Sequence, residues 1–199
     1  MLKILSSGRD QKLVAAITQG DLEKLAKLLP KYKTAQLDAP LHEQQNAVEL
    51  AICAGQAKAL ELLLGRDTNA NGTTHKGQPF ILLALEYPDH SLALITQLLR
   101  HGAYANTPGV LNTCFRYCNK AQLMMHLSRL IEHGCDLCRD PELMPQALVD
   151  GRPELLHFLI NSGATLPETK EGIACSDEAW AYAKRCEDDV RIRQMMQPF

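Results

Sequence analysis

The sequence predicts an all-α fold, a solenoid of stacked helix-turn-helix pairs joined by short hairpin or loop connectors. Three observations predict it. A paired apolar dipeptide recurs near the end of helical segments as Leu28-Leu29, Leu63-Leu64, Leu98-Leu99, Leu130-Ile131, Leu159-Ile160 and, more weakly, Met195-Met196; the steps are 35, 35, 32, 29 and 36 residues, with a mean of 33.4. Glycine stands eight residues before three of these pairs, at Gly20, Gly55 and Gly151, and three residues after three of them, at Gly102, Gly134 and Gly163. Aromatic residues make up only 5% of the 199-residue chain, which also favours close helix-on-helix packing over a β-sandwich.

Each unit reads as two short helices and a connector. The first helix carries apolar residues at helical spacing, Leu13, Ala16 and Ile17 in the first unit and Val48, Ala51 and Ile52 in the second. Glycine or a substitute then breaks the chain. The second helix carries stripes such as Leu22, Leu25, Leu28 and Leu29, or Leu155, Leu156, Leu159 and Ile160, and stops where a glycine can take the left-handed conformation. One such pair cannot bury enough surface alone, so stacking of neighbours has to supply a continuous core. The last segment opens with Ser176 as helix N-cap, followed by Asp177 and Glu178 in the first turn.

At the turns the residues resemble the ankyrin repeat family. Gly102-Ala103-Tyr104-Ala105-Asn106 and Asp67-Thr68-Asn69-Ala70-Asn71 fall on the family's Gly-Ala-Asp-x-Asn, and the period and the Gly-to-Leu-Leu spacing agree with it. The family's Thr-Pro-Leu-His segment survives only as Gln78-Pro79-Phe80-Ile81. The resemblance implies an ankyrin-repeat solenoid: an N-terminal extension over 1–10, repeats at 11–42, 43–77, 78–108, 109–140 and 141–172, and a C-terminal capping helical pair over 173–199. It also implies a non-enzymatic module that binds a protein partner through its concave face and loop tips, with a dedicated inhibitor or immunity protein as the alternative.

Composition narrows the classes further. With 21 Lys and Arg against 23 Asp and Glu, the formal charge is -2 with no block of one sign, so the concentrated basic face that phosphate backbones require is absent and nucleic acid is not an expected partner. The apolar runs are far below the roughly 20 residues that span a bilayer. The N-terminus lacks the apolar run of a secretory signal, and seven cysteines within helical patterns read as reduced thiols, so a cytoplasmic protein, monomeric when free, is expected.

No nucleophile elbow, phosphate-binding glycine loop or His-Glu-x-x-His motif occurs, and no catalytic residue or cofactor is expected. The nearest approach to a metal site is Cys114 and Cys118 with Cys135 and Cys138, a C-x3-C and a C-x2-C that could in principle offer four sulfurs to zinc. Against zinc, Cys135 falls where neighbouring units carry a small buried alanine, and Cys114 and Cys118 continue an apolar stripe with Leu111 and Phe115. A thiol enzyme using Cys118 or Cys53 is a second rival. On the ankyrin frame the ends of the first helices line the concave face, which singles out Glu86, Tyr87, Arg116, Tyr117 and Asp150 for partner binding; Tyr and Arg are the residues most enriched in binding hot spots. His42, His75 and Lys76 are the contact candidates in the connectors.

Overall fold

The computed structural model describes residues 8–196, and among them are twelve α-helices and no strand longer than an isolated bridge. Five helix pairs follow one another: α1 (Gly8–Gln19) with α2 (Leu22–Leu28), α4 (Ala47–Cys53) with α5 (Ala57–Leu64), α6 (Phe80–Leu85) with α7 (Ser91–Arg100), α8 (Val110–Tyr117) with α9 (Leu123–Glu132), and α10 (Leu143–Asp150) with α11 (Pro153–Asn161). A short α3 (Thr34–Asp38) lies in the first connector, and α12 (Asp177–Met196) closes the stack. The first helices pack in series, α1 on α4 on α6 on α8 on α10, and α2, α5, α7 and α9 form the second layer. This is the all-α stack of helix pairs that the sequence predicts.

The core runs the length of the stack. Leu13, Ala16 and Ile17 of α1 and Leu155, Leu156, Leu159 and Ile160 of α11 are all buried, as their spacing requires. Helix starts are capped where the sequence offers an oxygen. Asp21 accepts the Lys24 amide at 3.0 Å, Asn46 the Glu49 amide at 2.8 Å and Ser176 the Ala179 amide at 3.0 Å. Between α4 and α5, Gly55 has φ +67°, and a Cβ there would overlap the His90 ring of the next helix pair, so both backbone and packing demand glycine.

The connectors carry the tips. His42 and Gln45 close one turn, whose central residues Glu43 and Gln44 both have positive φ, and Thr73 bridges to Pro79 around the turn that presents His75 and Lys76.

Two boundaries differ from the sequence reading. The helix that opens the stack starts at Gly8, so residues 8–10 belong to α1; the Tyr32 hydroxyl donates to Asp10 at 2.9 Å and Arg9 lies over the Tyr32 ring, which ties this turn to the body. The rest of the N-terminal extension, including the reading that it lacks a signal sequence, falls on residues 1–7, outside the described residues. At the other end the expected helical pair is one helix of 20 residues. No glycine or proline lies between Asp177 and Met196 to interrupt it, and the acidic run Glu187-Asp188-Asp189 breaks nothing. Ala179, Ala183 and Cys186 are its buried face, with α11 as main neighbour. Among the described residues no helix is long and apolar enough to cross a membrane.

Candidate functional site

The ends of α8 and α10 and the chain just before α12 enclose an open slot of 670 Å³, within the usual range for binding sites. Phe115, Pro145, Val149 and Ile173 supply its apolar wall; Arg116, Lys120, Glu142 and Asp150 supply its charges. Val149 is 58% exposed. Arg116 has no acidic partner among the described residues and lies 5.5 Å from the centroid of the exposed Tyr117 ring. Arg116 and Asp150 are therefore brought to one slot across 34 residues of sequence, with Tyr117 beside Arg116.

Asp150 is already engaged there. Arg152 Nε lies 2.5 Å from one carboxylate oxygen and Lys120 Nζ 3.4 Å from the other. Burial pushes this carboxyl up, but the Arg152 hydrogen bond and the two cations outweigh it and hold the group below the ordinary carboxylate range. Arg152 also donates to the Lys120 carbonyl at 2.8 Å, so the three residues fasten the α8–α9 junction to the end of α10.

The remaining expected contact residues lie elsewhere. Glu86 is exposed at the end of α6 and accepts Gln78 Nε2 at 2.8 Å. Tyr87 is half-buried against the core; hydrogen bonding to Cys53, then burial, then nearby negative charge push its hydroxyl up to about 12. His42 is exposed, 3.8 Å from Glu43. His75 is pinned: its Nδ1 lies 2.7 Å from Oε1 of the buried Glu49, and its amide donates to Oε2 at 3.1 Å. Lys76 is exposed on the same turn.

The four cysteines of the zinc pattern do not converge. Cys114, Cys118 and Cys135 are buried, whereas Cys138 is exposed and its thiol donates to the Gly163 carbonyl at 3.2 Å. Among the described residues no group of three or more His, Cys, Asp or Glu side chains is placed to hold a metal ion. His126 of α9 is fully buried, with Nδ1 2.8 Å from the Gln122 carbonyl and Nε2 2.7 Å from Ser91 Oγ.

Sequence reasoning singled out the connector tips but not Tyr104 between them. The turn 73–79 and the loop 103–108 flank a 570 Å³ cleft, with His133 and Arg139 at its margin and Tyr104 70% exposed. Tyr104 sits in the Gly-Ala-Tyr-Ala-Asn turn, so an aromatic residue where the family pattern has an aspartate was the available signal.

No family model matches the chain, and no curated protein matches it. Among solved structures it is similar to the ankyrin repeat domain of Bcl-3, a member of the IkappaB protein family, with 18% identity, coverage of 90% of this chain and 97% of that one, and a TM-score of 0.45.

Proposed function

We propose that this chain is a non-enzymatic protein-protein interaction module, an ankyrin-like scaffold that holds a protein partner against the slot between α8 and α10 and against the loop tips. The observation that carries the reading is the grouping of Arg116, Tyr117 and Val149 at one place on the surface. A guanidinium without an acidic partner among the described residues, an exposed aromatic ring and an exposed apolar side chain beside a preformed slot are what an interface core needs before its partner arrives. The slot is open to water, which suits surface complementarity better than chemistry that must exclude solvent. A net charge of -2 fits a protein partner rather than a nucleic acid.

The test is capture from native extract with the tagged wild-type chain and with Arg116→Ala and Tyr117→Ala in parallel. A partner retained by the wild type and lost from both variants, at unchanged helicity, supports the reading. A partner retained equally by all three moves the site away from the slot.

A further inference from the structure

We propose that the slot between α8 and α10 takes an extended segment of the partner that carries an acidic residue close to an apolar one. The carboxylate sits on Arg116 and Lys120, and the apolar side chain sits against Phe115, Val149 and Ile173. This specificity rests on the slot being the docking surface.

Charge is distributed unevenly along the slot. Arg116 and Lys120, both exposed, stand where α8 ends. The Arg116 guanidinium has no acidic partner among the described residues and lies 5.5 Å from the Tyr117 ring centroid, so its planar fork of N–H donors is open to a carboxylate. The Lys120 side chain is 79% exposed, and the one Asp150 oxygen at 3.4 Å does not exhaust its three donors. Asp150 itself is already answered: its side chain is 11% exposed and is held by Arg152 at 2.5 Å as well as by Lys120. A cation from the partner therefore finds no free carboxylate at this end, whereas a carboxylate from the partner meets two cations.

Glu142 marks the other end. It stands just before the first turn of α10, and the eight residues from there to Asp150 span about 12 Å at a rise of about 1.5 Å each. The Arg152 bond to the Lys120 carbonyl, at 2.8 Å, fastens the α8–α9 junction to the far end of that helix, so the acidic and cationic ends of the slot stay apart. The apolar wall lies beside the cations, Phe115 next to Arg116 and Val149 next to Asp150. An extended chain advances about 3.3 Å per residue, so roughly four residues cover the slot. The order that fits is an acidic residue at the Arg116 end, an apolar side chain within the next few positions, and no acidic residue at the Glu142 end. Beside an apolar wall the Arg116–carboxylate pair is less exposed to water than on an open surface, which strengthens it.

The test is selection from a phage-displayed library of random short peptides at low salt, with the intact chain, Arg116→Lys and Arg116→Glu as parallel baits. Circular dichroism checks that the variants keep their helicity, as an exposed position allows. Peptides selected by the wild type are expected to carry Asp and Glu in about fivefold excess over Lys and Arg near a Leu, Ile, Phe or Trp. Arg116→Lys is expected to keep that excess and Arg116→Glu to invert it. Hydrogen exchange with the strongest selected peptide is expected to show protection over residues 112–120 and 145–150. Peptides that protect the slot without an acidic excess, or with one that Arg116→Glu leaves unchanged, overturn the acidic specificity while the slot stands as the docking surface. Peptides that protect another surface overturn both. Failure of the wild type to select any peptide overturns the extended occupant and leaves the slot to a folded one.

Discussion

Asn71 joins two successive helix pairs: its Nδ2 donates to the Gly102 carbonyl at 2.8 Å and its Oδ1 accepts the Tyr104 amide at 2.7 Å. Asn106 makes the same bridge one pair further on, to the Gly134 carbonyl at 2.9 Å and from the Asp136 amide at 2.7 Å. Cys138 holds the corresponding position in the next turn and reaches the Gly163 carbonyl, but it has no oxygen to offer the Thr165 amide.

This ladder gives the first prediction. Asn71→Ala and Asn106→Ala each remove two exposed hydrogen bonds and are expected to cost about 1–2 kcal/mol in urea unfolding. Cys138→Asn restores a full rung and is expected to stabilise the chain by up to about 1 kcal/mol. Destabilisation by that substitution would show that the sulfur is better suited to its site than an amide.

A second prediction concerns the stack. Leu63 is fully buried between α5 and its neighbours, so Leu63→Asp, which buries a charge with no partner, is expected to abolish the cooperative unfolding transition. Lys27 is exposed, and Lys27→Ala is expected to change stability by less than about 0.5 kcal/mol. Circular dichroism melts of the two variants check both.

The Glu49–His75 contact ties a loop tip to the body. Glu49→Ala removes the acceptor for both the His75 ring and its amide, and is expected to speed amide exchange over residues 75–78 while leaving the Leu63 amide protected. Equal loss of protection at both places would mean that Glu49 supports the whole stack.

Acid sensitivity follows from Asp150. Its carboxyl is held below the ordinary value in the folded state, so its stabilising contribution is present above the unfolded value of about 4 and is lost as pH falls through the lower folded value. Asp150→Asn is therefore expected to lower stability at pH 7 and to make the loss of stability on going below pH 4 shallower. Urea midpoints from pH 7 to pH 2 measure it.

The helix pairs were legible because burial imposes a period: Leu13, Ile17, Leu63, Leu98 and Leu159 fall on that period and are fully buried. The same period misled at the C-terminus, where Met195-Met196 continues the spacing but is 76% and 77% exposed on a single long helix. Of the site, Arg116 and Tyr117 were legible as the end of a first helix. Other expected contacts prove to be engaged within the chain, Asp150 with Arg152 and Lys120, and His75 with Glu49. Lys120 and Glu49 lie 30 and 26 residues from their partners and are chosen by the register of the stack, which no local pattern encodes.

The central claim is that the slot between α8 and α10 receives the partner. Hydrogen exchange of the chain, free and bound to the protein it captures, tests this most directly. Protection gained over residues 112–120 and 145–150, with α12 unchanged, is the predicted result; protection confined to α12 or to the 42–45 turn, with the slot unaltered, would contradict it.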